Sequence, residues 1–464
     1  MKRILIVALC LIPFGALAQK KADNGAITSK ELMSIKESMN KDDATTALGN
    51  VISNNNNLKS LSLNRDMQGD LDHFFKYSVD VKGITNQHSS GRCWMFASMN
   101  AMRPAVMQRY NLEGFDFSHN YNYFWDMFEK SNSFLESIIA TASLPMDNRE
   151  VTQYFVNVVD DGGVWNNFYN VAQKYGVVPQ SVMPETAHSD NTSQLDARLD
   201  ERLRKGGYDL RQLYASGVKI EDLRKAKLTI MNDIYRILAL SLGNPPTTFS
   251  WRYKTKDGEV KELVEYTPLK FYNEIKPTNY NPENYIMIMN DPTRDYYKLY
   301  DIKGYRNMVE GHDWLYLNLP NDVIKAAALA SIKDGEAMYS SCDVGKQANY
   351  NSGINAIEMY DFNKLFGVDF NMDKKARILT RQSGSAHAML LMACDTDDND
   401  KPIKWEFENS WGADSGNNGY LTFTDRWFDE YMFRIVINKK YLDIKSVEAL
   451  KGDVVMLPPW DYMF

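Results

Sequence analysis

Apolar positions recur at helical spacing through CWMFASMNAM, residues 93–102, where Cys93, Phe96 and Ala97 fall on one side. The pattern predicts a helix starting near Cys93, with Pro104 kinking or ending it. Aromatic-rich helical patterning continues through residues 121–140. DDGGVWNNFYNVAQKYGVVPQSVMPET, residues 160–186, reads as a Gly-Gly turn, a helix and a proline-punctuated loop. Residues 190–240 are helical and periodically charged, the mark of a solvated face. From about residue 246 the texture changes to short strands: TFSWRYK, YIMIMND, YYKLYDI and WLYLNLP. One helix, NDVIKAAALASIKDGE, interrupts them before HAMLLMACDTDDNDKPIKWEFENSWG and GYLTFTD. A helical half thus precedes a β-rich half. The expected class is α+β, in two lobes with a cleft between them. No internal repeat is visible, and SNNNNLKSLSLN, residues 53–64, reads as a loop within a polar front segment.

The start of the chain departs from this texture. MKRILIVALCLIPFGALAQK has a basic beginning at Lys2 and Arg3, an apolar stretch over residues 4–14, and Ala16-Leu17-Ala18 as a cleavage site. The expectation is a secretory signal over residues 1–18, a mature chain starting at Gln19, and a periplasmic or extracellular destination. Cys10 leaves with the signal; the residues before it, Ala8 and Leu9, do not fit a lipidation site. No later run approaches the ~20 apolar residues of a membrane span.

The chain has 464 residues, 44% hydrophobic and 12% aromatic, ample for one large or two modest cores. Its formal charge is −7 and its pI about 5.6, which argues against nucleic-acid binding through a general basic field. Cys93, Cys342 and Cys394 remain after the signal, too few and too odd in number for a disulfide scaffold.

A working cysteine needs a thiolate, a base, a group orienting the base, and donors for an oxyanion. In NQHSSGRCWMFA, Cys93 sits where loop becomes helix, and a helix N-terminus favours thiolate. Cys342 and Cys394 lack that setting and read as buried residues near strand ends. Of six histidines, His387 stands at the start of an apolar strand, where it can face a cleft. His88 lies in the loop itself, and His312 reads as a turn residue. Asn409 ends a strand that can pair with the one starting at His387 through the DTDDNDKP turn, so it can orient the ring, with Trp411 as a shield. Gln87, through a flexible HSSGR loop, can place its amide beside the Cys93 N–H as the oxyanion donor. DTDDNDKPIKWE, residues 395–406, imitates a calcium loop, but Asp400 stands where glycine is required and Pro402 intrudes. A hairpin turn is the expectation, without a metal.

Gln87, Cys93-Trp94, His387 and Asn409-Ser410-Trp411-Gly412 resemble the catalytic set of papain-like cysteine peptidases. The long separation between Cys93 and His387, with KYGVVPQSVMPET, CDVGK and RWFDEYMFRIVINKKYL, is similar to the bleomycin hydrolase/aminopeptidase C branch from about residue 70 onward. The resemblance implies a papain-like fold: an N-terminal arm over residues 19–69, a helical lobe over 70–189, an insertion over 190–300, a β-rich lobe over 301–450 and a C-terminal arm over 451–464. It implies Cys93 as nucleophile, a thiolate paired with protonated His387, Asn409 as orienter, and Gln87 with the Cys93 N–H as oxyanion hole. Gly162 and Gly163 would pair with the substrate backbone, with Trp411 and Phe464 also touching substrate. It implies no cofactor, peptide substrates, a homo-hexamer and aminopeptidase action, in which the C-terminal arm holds the substrate amine. The family's ending runs about four residues beyond Met463. A tail shorter by about three residues leaves its carboxylate ~10 Å short. That raises an endopeptidase or oligopeptidase as the alternative, besides a non-catalytic peptide binder and a thiol acyltransferase.

Overall fold

A computed structural model describes residues 25–39, 42–67, 72–81, 83–276 and 282–463. The expected signal over residues 1–18 and the final Phe464 lie outside them. The chain divides into two compact units, Met1–Leu63 and Asn64–Phe464. In the first, the described helices are α1 (Ser29–Glu37), α2 (Asp43–Ser53) and α3 (Leu58–Ser62). The asparagine run read as a loop therefore gives way to a helix at Leu58. Asn57 is the reason: its side-chain oxygen accepts from the Ser60 amide at 3.1 Å, and a capping asparagine starts a helix as readily as it makes a turn.

The second unit begins with a short strand, β1 (Tyr77–Ser78), and then turns helical. Its helices are α4 (Cys93–Tyr110), α5 (His119–Ala140), α6 (Arg149–Val156), α7 (Trp165–Tyr175), α8 (Ala187–Asp190), α9 (Ser193–Ala215), α10 (Ile220–Leu242) and α11 (Pro268–Ile275). Pro104 does not end α4, which runs on to Asn111 in the left-handed region at φ 52°. Met102, Arg103, Val106 and Met107 are buried on both sides of the proline, and their burial outweighs the one backbone bond it removes. The long charged helices α9 and α10 pack on α5 and present Leu199, Leu203, Ile234 and Leu238 inward.

The remaining strands are β2 (Phe249–Trp251) and β3 (Val264–Tyr266), a separate pair, then β4 (Tyr285–Met289), β5 (Lys298–Ile302), β6 (Tyr316–Asn318), β7 (Met338–Cys342), β8 (Ala348–Asn349), β9 (Ile354–Asn355), β10 (His387–Thr396), β11 (Pro402–Glu408), β12 (Tyr420–Thr424), β13 (Met432–Asn438) and β14 (Val454–Leu457). Among the described residues these form a twelve-stranded sheet in the order β14-β5-β6-β4-β13-β7-β10-β11-β12-β9-β8, with β1 beside β10. Helix α12 (Asn321–Lys333) packs against β13 and β10. The DTDDNDKP segment is the expected hairpin turn between β10 and β11. Asp397 accepts from the Asn399 and Lys401 amides, and Asp400 is held by Lys76 and Lys333.

Two clusters of buried side chains result. One gathers Trp94, Phe124, Leu199 and Leu238; the other gathers Trp405, Phe407, Trp427 and Ile435. Strand β13 serves both, with Phe433 and Val436 in the first and Ile435 and Ile437 in the second. Cys93 packs against the first cluster and Trp411 against the second. Cys342 and Cys394 are fully buried in the second, and all three described cysteines are free thiols.

A buried ion pair ties α4 to the end of β11. The Arg103 guanidinium donates to Glu408 at 2.7 Å, to the Gly83 carbonyl at 2.7 Å and to Asn100 at 3.1 Å. Burial pushes the Glu408 carboxyl up to about 7, although Arg103 opposes the shift. Arg103→Met strands that carboxyl in a dry interior. It is expected to lower unfolding stability by about 3–5 kcal/mol in a urea titration at neutral pH. A loss under about 1 kcal/mol would contradict this account of the pair.

Candidate active site

The loop before α4 is pinned rather than flexible. Gln87 Nε2 donates to the Ser90 carbonyl and the Ser90 hydroxyl donates back to the Gln87 carbonyl, both at 2.6 Å. Arg92, fully buried, bonds Glu185 at 2.9 Å, the Ser189 carbonyl at 2.7 Å and the Ser90 hydroxyl at 3.0 Å. The Gly91 amide donates to Asp161 at 2.5 Å, an approach a side chain would block: a Cβ at Gly91 would meet the Asp161 carboxylate at 2.2 Å. These contacts deliver Cys93 as the first residue of α4, where its N–H has no acceptor within the helix.

His387 and Asn409 reach the same place through sheet register. His387 opens β10 and pairs with Cys342 of β7, while Leu390 pairs with Glu408 of β11. The next residue, Asn409, then lies beside the imidazole, and His387 Nε2 donates to Asn409 Oδ1 at 2.8 Å. That bond leaves Nδ1 as the ring nitrogen for proton exchange. The same Asn409 oxygen accepts from the Ser410 amide at 2.8 Å. The Trp411 indole stands 4.7 Å from the imidazole, centroid to centroid, and meets Tyr350 edge-on.

Gln87 is positioned from the far end of the chain. Its backbone N–H donates to the Ser410 carbonyl at 2.8 Å, and the Ser410 hydroxyl donates to its side-chain Oε1 at 2.7 Å. The oxygen of the carboxamide is thereby fixed, and its nitrogen has one N–H beyond the bond to Ser90. Ser410, named in the sequence only as a neighbour of Asn409, holds Gln87 in place. Its signal was present, because it follows Asn409 directly, but nothing in the sequence pairs it with a residue 323 positions away.

Gln87, Cys93, Gly162, Gly163, His387 and Trp411 all line one cavity of about 590 Å³. His88 borders it from the loop, at a left-handed φ of 52°. His312 lies elsewhere, stacked on Tyr169. The cavity also takes in Tyr339, Arg434 and Met463, none of which the sequence reading singled out. Phe464 lies outside the described residues, but its neighbour Met463 is part of the cavity wall and only 4% exposed. The tail is held there by Arg434 to the Met463 carbonyl at 3.0 Å, by Arg294 to Asp461, and by Tyr462 to Thr293 at 2.5 Å.

Electrostatically the site works against itself. Burial pushes the Cys93 thiol up to about 11 and pulls His387 down to about 4. Both shifts oppose the thiolate–imidazolium pair expected from a helix N-terminus. The Ala388 and Trp94 amides, directed at the sulfur, and the Asn409 bond to the ring push the other way without cancelling burial. The Ala388 amide also shows how near the sulfur lies to His387, the preceding residue. Such a pair can exchange its proton within the cavity and stabilise an anion beside Gln87.

Gly163 touches this machinery from behind. A Cβ there would lie 2.7 Å from the fully buried Trp94 ring, whose Nε1 is already bonded to the Asp161 carbonyl at 2.9 Å. The Gly162 carbonyl is occupied by Lys130 at 2.5 Å.

Comparison with known proteins adds four findings. The model of the peptidase C1-like family matches residues 26–464. Bleomycin hydrolase of Mus musculus is 37% identical over 451 residues, covering 95% of this chain and 99% of that protein. Aminopeptidase C of Lactobacillus delbrueckii subsp. lactis is 39% identical over 399 residues, covering 85% and 88%. Among solved structures, pepw of Lactobacillus rhamnosis superposes with a TM-score of 0.90 at 36% identity, over 94% of this chain and 98% of that one.

Gly163→Ala is expected to cost about 1–3 kcal/mol, because neither Trp94 nor the backbone can give way. Thermal unfolding measures it; a variant as stable as the parent would mean that Trp94 is free to shift.

Proposed function

This chain belongs to the peptidase C1-like family, with an α+β papain-like fold, and from that premise we propose a cysteine aminopeptidase acting through Cys93, His387, Asn409 and Gln87. The observation carrying the proposal is the convergence of Cys93, His387 and Gln87 on one cavity, from a helix start, a strand start and a pinned loop, with Asn409 bonded to the imidazole beside it.

The chemistry follows from the geometry. Cys93 gives its proton to Nδ1 of His387 and its sulfur attacks the carbonyl carbon of the scissile peptide. The oxygen, now negative, takes N–H bonds from Gln87 and from the Cys93 backbone. His387 returns the proton to the leaving amine as the C–N bond breaks, which leaves a thioester. Water, deprotonated by His387, then attacks that thioester and releases the N-terminal residue. Asn409 keeps the ring in the Nε2–H form throughout.

Two observations favour removal of N-terminal residues over internal cleavage. Relatives named aminopeptidase C match most of this chain. Met463 also forms part of the cavity wall, which supports a tail that narrows the cleft.

The hexameric ring and export are part of the same proposal and come from resemblance and from residues 1–18. Among the described residues, no helix is long and apolar enough to cross a membrane. Light scattering of the mature protein is expected to give the mass of six chains, and sequencing of the exported form to start at Gln19.

A free-amine peptide and its N-acetylated twin test the reaction, beside a Cys93→Ala control. Cleavage of the free peptide alone is expected. Equal cleavage of both would end the aminopeptidase reading, and activity in the control would end the cysteine mechanism. The acid limb of kcat/KM is expected near pH 4. Protonating the imidazole of His387 removes the acceptor for the thiol proton, so activity falls as pH drops through that value. The bond from Asn409 raises the pKa of His387, so Asn409→Ala is expected to move the limb to lower pH while reducing kcat.

A further inference from the structure

Gly162 and Gly163 line the Cys93 cavity, and the residue before them, Asp161, grips the chain on both sides of Cys93. Its carboxylate accepts from the Gly91 N–H, two residues before Cys93, at 2.5 Å. Its carbonyl accepts from the Trp94 indole, one residue after Cys93, at 2.9 Å. The carboxylate oxygen that meets Gly91 also accepts from the hydroxyl of Thr192, the residue preceding α9, at 2.5 Å. One residue thus joins the loop before α4, the first turn of α4 and the start of α9.

Asp161 is itself held from both flanks. Lys130 of α5 donates to the Asp160 carbonyl at 2.9 Å and to the Gly162 carbonyl at 2.5 Å, and it pairs with the Asp126 carboxylate at 2.7 Å. Asp126 accepts in turn from Asn307 at 2.9 Å. The Gly162 N–H donates to the Asp160 side chain at 2.7 Å. A shift of Asp161 would therefore break its neighbours' bonds as well as its own.

Charge adds to position. Burial pushes the Cys93 thiol up, and the Asp161 carboxylate acts in the same direction. The other charged and titratable groups facing Asp161 are Lys130 and Tyr123 of α5, Asp160 beside it, and Asp196 of α9. Arg92, between Gly91 and Cys93, is paired with Glu185. Those facing the sulfur are His387 of β10 and Tyr339 and Cys342 of β7.

We propose that Asp161 is a positioning residue of the cysteine reaction, holding Cys93 in register with His387 and Gln87 through the loop before it and the ring after it. Its negative charge also keeps the resting sulfur protonated, so that the proton passes to His387 only as the sulfur attacks. The inference rests on the peptidase reading of the cleft.

Two variants separate position from charge. Asp161→Asn keeps an oxygen for the Gly91 N–H and removes the charge, whereas Asp161→Ala removes both. The first measurement is the rate of Cys93 alkylation by iodoacetamide against pH, read by mass spectrometry at Cys93, which needs no peptide turnover. In Asp161→Asn the rising limb is expected at lower pH than in the native protein, with alkylation about threefold or more faster at a pH below the native limb. A limb that stays in place or moves to higher pH overturns the proposal, whether or not Asp161→Ala folds. The second is kcat and KM on the free-amine peptide. Asp161→Ala is expected to lose about tenfold or more in kcat with KM little changed, and Asp161→Asn to recover part of that loss. Equal losses in the two variants, a loss carried by KM alone, or a native kcat in Asp161→Ala each overturn the proposal. If the native protein cleaves no peptide yet the alkylation limb moves as expected, the peptidase reading fails and the hold of Asp161 on Cys93 stands.

Discussion

The bond between His387 and Asn409 depends on one register in a large sheet, and the rest of the site depends on that bond. A slip of one residue between β10 and β11 would turn His387 away from the cleft and Asn409 away from the ring. The register is held on both sides, by β7 along one edge of β10 and by β11 along the other, with Trp405 and Phe407 buried beneath. The polar contact is therefore positioned by apolar burial. Its own geometry then fixes the tautomer of the imidazole, and with it which nitrogen faces the sulfur.

Cys93 is brought to this pair by different means. The helix that starts with it is anchored by Trp94, Met95 and Phe96 in the helical core, and the preceding loop is locked by Arg92 and Asp161. Cys93 and His387 thus stand on separately packed elements, and both line the cavity. The same burial that makes the position rigid pushes the thiol up and the imidazole down. The Ala388 and Trp94 amides directed at the sulfur act against that shift.

Buried cations show how closely the chain manages charge. Arg92 and Arg103 lie fully inside and each meets a glutamate, which ties loop to helix and helix to strand. Arg434 is buried to nearly the same degree, holds the tail through a carbonyl, and meets no carboxylate among the described residues.

Much of this was legible in the residues themselves. A lone cysteine at a loop-to-helix change, a histidine at a strand start and an asparagine across one hairpin are local patterns, and each is set by spacing that a short segment carries. The α+β order, the hairpin at DTDDNDKP and the buried state of Cys342 and Cys394 were readable for the same reason. Other features were not. The asparagine run reads as loop because asparagine serves turns and helix caps equally, and Pro104 does not end its helix because the burial around it is tertiary. Ser410 grips Gln87 across 323 positions, Met463 enters the cavity wall from the end of the chain, and Arg434 faces the cleft from a strand that reads as plain core. The sequence by itself determined which chemical groups were available and which strands would place His387 beside Asn409. Only the tertiary structure decided what surrounds them, because pairing of distant strands and burial of charge are properties of the packed whole.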